Sequence, residues 1–184
     1  GNYTAALALQ LARELESRRI GWLEEPVPPE DLAGYARIRN GSRIPLASGE
    51  ADALRVGFRE LISQRLIDVV QPDVTSCGGI GEAKAIVRMA QTWNVRFSPH
   101  VWGGAVALAA SLQLSAAVPL YPHVDHEAAP LLFEYDRGDN ALRDKLLATP
   151  LQIDGDRIAV PSGPGLGIEL DWDAVEHYRI DREG

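Results

Sequence analysis

The sequence predicts an α/β fold with parallel strands, and two observations support that prediction. Short apolar or β-branched runs recur between residues 21 and 127, and each ends in an ionisable residue. Those residues lie 26, 23, 27 and 27 positions apart: Glu24, Glu50, Asp73, His100 and Glu127. The intervening segments show helical periodicity and are long enough for one crossover helix and two loops, which consecutive parallel strands require.

This alternation places the polar residues at the same end of every strand. In a (β/α)₈ barrel that end of the sheet holds the active site, so we predict part of such a barrel. A complete barrel needs about 250 residues, whereas this chain has 184. Charged residues also follow strands in unrelated α/β proteins, and coincidence is the alternative interpretation of the series.

Composition excludes several classes of partner. The net charge is −8, and no Lys/Arg cluster is interleaved with aromatic residues, which argues against nucleic acid and anionic membrane surfaces. No uninterrupted apolar stretch reaches membrane-spanning length. The single cysteine, Cys77, cannot form an internal disulfide, so we expect a reducing, cytoplasmic location.

The first two helices follow from periodicity and capping residues. A helix is predicted over residues 3–17, with Asn2 or Thr4 as its cap and one apolar face made of Leu7, Leu11 and Leu15. The strand over residues 21–26 comes next. Residues 28–31 then place two prolines and two acids at a helix start, followed by an apolar stripe of Leu32, Tyr35 and Ile38.

Three further helices alternate with the strands over residues 44–50, 67–73 and 95–100. One is predicted over residues 52–63, with a buried side of Leu54, Phe58, Leu61 and Ile62. The next covers residues 82–92 and packs through Ala83, Ile86, Val87 and Ala90. Gly78 and Gly79 precede it, and we interpret them as turn residues in preference to an anion-binding loop. An alanine-rich helix is predicted over residues 105–117.

The pattern changes after the predicted strand at residues 124–127. A short helix is predicted over residues 142–147, two strands around an Asp-Gly turn over residues 151–160, and a strand-like piece with a short helix over residues 168–180. We therefore divide the chain into a partial barrel, residues 1–140, and a C-terminal tail, residues 141–184.

The strand-end residues suggest a metal and an acid/base pair. Glu24 and Glu50 are hard oxygen ligands on neighbouring strands, which suits Mg²⁺. Asp73 and His100 follow the next two strands, so the aspartate could orient the imidazole and raise its basicity. A lone histidine is more often structural. Here its position, with an aspartate at the equivalent end of the preceding strand, favours catalysis.

Several motifs in the same order resemble the C-terminal half of the enolase superfamily, in its mandelate racemase/muconate lactonizing enzyme-like branch. They are Leu23-Glu24-Glu25-Pro26, Ser48-Gly49-Glu50, Gln71-Pro72-Asp73, Cys77-Gly78-Gly79-Ile80, Pro99-His100 with Trp102-Gly103, and the closing run over residues 161–168. The resemblance spans nearly the whole chain.

The resemblance implies a role for each strand-end residue. Glu24 and Glu50 would be two of three Mg²⁺ ligands, and Asp73 with His100 would be the general acid/base dyad. Glu127 would hydrogen-bond the enolate side of the substrate, although Asp125, His126 and Glu134 lie nearby. Glu25 should point away from the metal, because neighbouring strand residues alternate sides, and we interpret it as a barrel-wall or supporting salt bridge.

The resemblance also implies parts that this sequence does not contain. They are an aspartate ligand on a strand before residue 3, a second, lysine base on an earlier strand, and an N-terminal capping domain. We therefore expect that the chain is a piece of a longer enzyme and that its tail returns to the capping domain.

The implied activity is Mg²⁺-dependent abstraction of the proton α to a carboxylate, through an enediolate. An acid-sugar dehydratase is the first hypothesis, and a racemase or epimerase of a 2-hydroxy acid is the alternative. A third hypothesis is a catalytically inert half-barrel that associates with another chain through exposed strand edges. The expected partners are a small-molecule carboxylate substrate and further copies of the chain in a homo-oligomer. No glycine fingerprint indicates a nucleotide site.

Overall fold

The computed structural model describes residues 1–119 and 131–180. The described residues form two compact units. The first contains residues 1–100 together with 131–133, and the second contains residues 101–119 together with 134–180. The boundary at residue 140 between barrel and tail stays a prediction.

A four-stranded parallel sheet lies at the centre of the first unit, in the order β1-β2-β3-β4. The strands are β1 (Leu23–Glu24), β2 (Leu46–Ser48), β3 (Val69–Val70) and β4 (Arg96–Phe97). Backbone hydrogen bonds continue the pairing past these short strands, for example from Glu25 N to Ala47 O and from Gln71 N to Ser48 O. The predicted parallel α/β order is confirmed.

One helix precedes β1 and one helix connects each pair of neighbouring strands: α1 (Ala5–Leu15), α2 (Leu32–Gly41), α3 (Leu54–Ser63) and α4 (Gly79–Thr92). A 3₁₀ turn at Glu16–Arg18 follows α1. Thr4 caps α1 by accepting a hydrogen bond from Leu7 N, and Asp31 caps α2 by accepting one from Gly34 N. Such caps satisfy amides that have no partner within the helix.

The core of the first unit consists of aliphatic and aromatic side chains from the inner helix faces and the strands. The predicted inward residues of α4 are buried, and so are Phe58, Leu61 and Ile62 of α3. Leu46, Val69 and Val70 of the strands are also buried. Full burial of one such large side chain contributes about 1.5–3 kcal/mol to stability.

The buried face of α1 differs from the prediction. Leu7 is 49% exposed, whereas Ala8 and Ala12 are fully buried. This helix packs against α2, and Arg13 Nε donates a hydrogen bond to Gly41 O at the end of that helix. Small side chains on the facing surface allow the two backbones to approach closely, so the alanines and not the leucines lie innermost.

Leu54 is a second correction. It is 52% exposed and adopts a left-handed conformation with φ of 55°. Its N–H donates a hydrogen bond to Cys77 O at 2.9 Å, which fixes the backbone where α3 begins. This backbone geometry turns the side chain out of the apolar face on which periodicity had placed it.

The second unit contains α5 (Ala105–Ala116), α6 (Ala141–Asp144), β5 (Ile153–Asp154), β6 (Arg157–Ile158) and α7 (Trp172–His177). The predicted hairpin is confirmed, because β5 and β6 pair in antiparallel fashion around a turn in which Gly155 has φ of 60°. Gln113 of α5 donates hydrogen bonds to Pro161 O and Leu166 O and so holds the following loop. Among the described helices, none combines the length and the apolar character that crossing a bilayer requires.

Candidate active site

The sheet brings four of the five predicted site residues to one end of the first unit. Glu24 lies in β1, and Glu50, Asp73 and His100 follow β2, β3 and β4 within a few residues. Because the strands are parallel, these positions meet at the carboxyl edge of the sheet. The fifth predicted residue, Glu127, lies outside the described residues.

His100 lies between two carboxylates. Its Nδ1 is 2.7 Å from Asp73 Oδ2, and its Nε2 is 3.3 Å from Glu50 Oε2. The side chains of His100 and Asp73 are only 12% and 11% exposed, so water weakens their contact little. With Nδ1 donating to Asp73, the imidazole is oriented with Nε2 towards Glu50.

Asp73 is itself held by the residue two positions later. Its Oδ1 accepts hydrogen bonds from Thr75 N at 2.7 Å and Thr75 Oγ1 at 2.6 Å. Burial alone would raise the pKa of Asp73, but the hydrogen bonds from His100 and Thr75 outweigh it and lower the pKa. Asp73 therefore remains ionised, which suits a group that orients and stabilises a protonated imidazole.

Glu24 accepts two hydrogen bonds on one oxygen. Trp22 Nε1 donates to Oε2 at 2.9 Å, and Gln71 Nε2 donates to the same oxygen at 2.8 Å. Gln71 is only 3% exposed. Gln71 stands in one of the motifs that carry the family resemblance and Trp22 directly precedes another, but the sequence assigns no role to these two residues or to Thr75.

Glu25 contacts different residues from Glu24, but β1 ends at Glu24 and Glu25 has φ of 36°, so strand alternation does not account for its direction. It accepts a hydrogen bond from Ser48 Oγ at 3.2 Å, and Tyr35 OH donates to Ser48 Oγ at 3.1 Å. Within the described residues Glu25 forms no ion pair, so the salt-bridge interpretation is wrong. A buried serine and tyrosine supply its contacts, because α2 brings its inner face to this side of β2.

Asp52 lies in the same environment as Glu25. Burial, followed by the charges of Glu25 and Glu30, raises the pKa of Asp52 to about 6. Its Oδ2 is buried and has no hydrogen-bond partner among the described residues. The sequence does not single out this acid, because the charges that raise its pKa, Glu25 and Glu30, lie more than 20 positions earlier in the chain.

The predicted metal ligands match Mg²⁺ in donor chemistry. Both are carboxylates, and Glu24 Oε1 accepts no hydrogen bond from any described residue. Over residues 1–119 and 131–180, no group of three or more His, Cys, Asp or Glu side chains is arranged to hold a metal. Mg²⁺ is usually bound through one or two protein carboxylates and keeps several waters, so Glu24 and Glu50 fit such a site.

The turn between Asp73 and α4 contains the glycine pair and the single cysteine. Gly78 and Gly79 have φ of 112° and 87°, conformations that favour glycine and agree with the turn interpretation. Cys77 is fully buried, and its N–H donates to Asp73 O at 2.8 Å. Burial, with a contribution from the Asp73 charge, raises the pKa of the Cys77 thiol to about 11.

Comparison with known proteins relates this geometry to a family. The family model described as enolase C-terminal domain-like matches residues 1–174. A D-galactarolactone cycloisomerase from Agrobacterium fabrum is 40% identical over 97% of this chain and 47% of its own length. A D-galactonate dehydratase from Variovorax paradoxus is 34% identical over 96% of this chain and 46% of its own length.

A solved structure shows the same similarity in three dimensions. The 3,6-anhydro-D-galactonate cycloisomerase from Zobellia galactanivorans superposes with a TM-score of 0.85 and 39% identity, over 96% of this chain and 47% of that one. The chain thus spans about half the length of the relatives it matches. With a model match over nearly all of its residues and an α/β fold of the same kind, the chain belongs to the enolase C-terminal domain-like family.

Proposed function

We propose that this protein removes the proton α to the carboxylate of an acid sugar and then expels the oxygen on the adjacent carbon. The observation that carries the proposal is the contact of His100 with Asp73 on one side and Glu50 on the other, with Glu24 on the same edge of the sheet. A strand-end histidine oriented by a buried aspartate is suited to act as a general base.

The proton transfer uses the two nitrogens of His100 differently. Nδ1 donates to Asp73 Oδ2, so in the neutral ring Nε2 holds the lone pair that takes the α-proton. The product of that transfer is an imidazolium between two carboxylates, Asp73 at 2.7 Å and Glu50 at 3.3 Å. The negative charge of Asp73 stabilises the protonated ring, which lowers the free energy of abstraction, while the charge of Glu50 would be directed to the cation.

Glu24 and Glu50 would hold Mg²⁺. When bound, this cation supplies positive charge that stabilises the enediolate left after the proton departs, as a Lewis acid next to the substrate carboxylate. Without such charge, the anion would develop beside the protein's own acidic side chains. The relatives' membership of the enolase superfamily supports the metal requirement.

The second half of the reaction returns the proton. The electron pair of the broken C–H bond forms a carbon–carbon double bond, and the bond to the β-oxygen breaks. His100, now protonated, gives its Nε2 proton to the departing oxygen. The resulting enol converts to a 2-keto-3-deoxy acid, so a single base serves both steps.

The identity of the leaving oxygen distinguishes two candidate activities. If it is a free hydroxyl, water departs and the enzyme is a dehydratase, like the galactonate dehydratase relative. If it belongs to a ring, the ring opens without loss of atoms, as an isomerase requires. The two cycloisomerase relatives, 40% and 39% identical, support this second candidate. Racemisation of a 2-hydroxy acid would need a second base on the opposite face of the substrate.

The test is a product analysis of the intact protein with Mg²⁺ in deuterated water, using acid sugars and their lactones as substrates. A dehydratase yields a 2-keto acid that has lost one water, and a cycloisomerase yields a 2-keto acid that has lost none. Either product also carries one deuterium at C3, taken up from the solvent when the enol becomes the ketone. Deuterium at Cα without a keto product indicates racemisation. If no substrate of the panel gives a product or deuterium exchange, the proposed activity is rejected and the inert half-barrel hypothesis is favoured.

The assignment of His100 as the general base can be tested by substitution. We expect that His100→Asn lowers turnover by at least about 10²- to 10⁴-fold, the usual contribution of a positioned acid/base. Mg²⁺ affinity should be retained, because the two glutamates remain. His177→Asn, a substitution at an exposed histidine of α7, is the matched control. Unchanged turnover in His100→Asn would rule out the dyad.

A further inference from the structure

The two hydrogen bonds to Glu24 suggest how this carboxylate is presented. Both donors, Trp22 Nε1 and Gln71 Nε2, reach the same atom, Oε2, at 2.9 and 2.8 Å. The second oxygen, Oε1, receives no hydrogen bond from the described residues. The two oxygens of one carboxylate are therefore inequivalent, and the side-chain rotation that would exchange them breaks two hydrogen bonds.

The hydrogen bond from Gln71 to Glu24 joins residues that lie two strands apart. Glu24 lies in β1 and Gln71 directly follows β3, with β2 between them. In barrels, inward-facing side chains from alternate strands lie in the same layer, which explains how residues two strands apart can meet. The Gln71 backbone is fixed by its own N–H bond to Ser48 O of β2. Burial to 3% exposure also leaves its amide little freedom to find another partner.

We propose that Gln71 and Trp22 are positioning residues that lock Oε2 of Glu24 and leave Oε1 as a single-oxygen ligand for a divalent cation. This inference rests on the proposed function, in which Glu24 binds Mg²⁺. The neutral donors do not compensate the charge of the carboxylate, so Glu24 keeps the negative charge that a cation requires. They restrict only which oxygen is available.

A single-oxygen ligand has a consequence for metal choice. Mg²⁺ demands near-octahedral geometry and short bonds, which one oxygen per carboxylate satisfies. Ca²⁺ accepts more ligands and often binds both oxygens of one carboxylate. Occupying Oε2 with two hydrogen bonds therefore favours Mg²⁺ over Ca²⁺ at this site.

The experiment is calorimetric titration of the intact protein with Mg²⁺ and, separately, with Ca²⁺. The variants are Gln71→Met, which keeps the length of the side chain and removes both amide donors, and Trp22→Phe, which removes the indole N–H. We expect Mg²⁺ to bind about 10- to 100-fold more weakly in Gln71→Met, as is usual when a group supporting a metal ligand is lost. Ca²⁺ affinity should fall much less, so the preference for Mg²⁺ declines.

Gln113→Met is the matched control, because Gln113 also donates two hydrogen bonds from its amide but belongs to the second unit. It should leave both affinities unchanged even if it lowers thermal stability. Should Gln71→Met fail to fold, Trp22→Phe carries the test, since the Trp22 side chain is only partly buried.

Three results would overturn the proposal. If both variants bind Mg²⁺ within about twofold of the unmodified protein, or lose Mg²⁺ and Ca²⁺ equally, the hydrogen bonds have no selective role. In that case the proposed function survives, provided that the unmodified protein binds Mg²⁺ and turns over substrate. An unmodified protein without Mg²⁺ binding would remove the inference together with the metal assignment.

Discussion

The surroundings of Asp52 disfavour the ionised form of its carboxyl group. Burial and the charges of Glu25 and Glu30 raise its pKa from 3.8 to about 6 in the folded protein. Because the folded pKa lies above the unfolded one, the charged form is the less favourable form in the fold. The folded protein therefore binds this proton more tightly than the unfolded chain does. The stabilisation that results is fully present below about pH 4 and is lost as the pH rises through about 6.

We therefore expect that Asp52→Asn stabilises the protein near pH 8. The gain in the free energy of unfolding should be about 1–2 kcal/mol, less than the roughly 1.4 kcal/mol per pKa unit of the full shift, because solvent screens a half-buried carboxylate. Near pH 4 the gain should disappear, because Asp52 is then already protonated in the fold. Urea unfolding at both pH values measures the difference.

The control for this experiment is Asp156→Asn, at an exposed acid in the turn between β5 and β6. It should leave the free energy of unfolding nearly unchanged at either pH. An Asp52→Asn variant that is equally stabilised at both pH values would contradict the electrostatic explanation.

Single residues differ in how well the sequence could identify them. Glu24, Glu50, Asp73 and His100 could be found because each is ionisable and ends an apolar run. Gln71 could not, since its partner Glu24 lies 47 positions away and glutamine has no titratable signature. Thr75 lies two residues after Asp73 and forms a local turn, so an Asp-x-Thr pattern could have indicated its contact.

At the scale of elements, the connection from β2 to α3 depends on Gly49. This residue has φ of 138°, and an added Cβ would lie 2.7 Å from Phe58 Cε1 and 3.1 Å from Gln71 N. We expect Gly49→Ala to lower the free energy of unfolding by about 1–3 kcal/mol, the usual range for a residue forced into such a conformation. Chemical denaturation provides the measurement.

Gly81→Ala, a substitution within α4, should have the opposite effect on stability. No atom of the described part of the chain lies within 4 Å of an added Cβ at that position, and the backbone there is helical. The substitution should raise stability by about 0.4–1 kcal/mol, because alanine restricts the unfolded chain. If Gly49→Ala proved as harmless as Gly81→Ala, the steric account of this connection would fail.

Helix periodicity predicted the interior of each element better than its ends. The four predicted inward residues of α4 are all buried, although the helix begins three residues earlier than predicted, at Gly79. The error at Leu54 arose because a left-handed backbone at a helix start breaks the 3.6-residue period. Such local geometry depends on a distant partner, Cys77 O, and is not encoded in the apolar pattern.

At the scale of the whole molecule, the metal site makes a prediction about stability. A ligand that binds only the folded state stabilises it by about 2.7 kcal/mol at 100 times its Kd. For a chain of this size we expect a rise of roughly 5–10 °C in Tm with saturating Mg²⁺. Differential scanning calorimetry with and without Mg²⁺ measures it.

Glu50→Gln supplies the control for that measurement, because it removes one ligand charge with little change of shape. We expect the Mg²⁺-dependent rise to be lost in this variant. An equal rise in both proteins would mean that Mg²⁺ acts elsewhere. No rise in the unmodified chain would mean that these two glutamates do not form a sufficient site in it.

The overall architecture could be predicted because one spacing recurs. Strand, loop, helix and loop fill a nearly constant length, so four parallel strands and their helices followed from the positions of polar strand ends. Grouping into two units could not be predicted, because α5 is joined to residues 134–180 by contacts distant in sequence, such as those of Gln113.

The burial of Cys77 makes the reactivity of its thiol a probe of local opening. It is the only thiol in the sequence, it is fully buried, and its pKa of about 11 keeps it protonated and unreactive at neutral pH. Its N–H is bonded to the carbonyl of Asp73, so a thiol reagent can reach it only when the turn carrying that catalytic candidate opens. The rate of alkylation therefore measures how often the chain around Cys77 opens, next to the aspartate that orients His100.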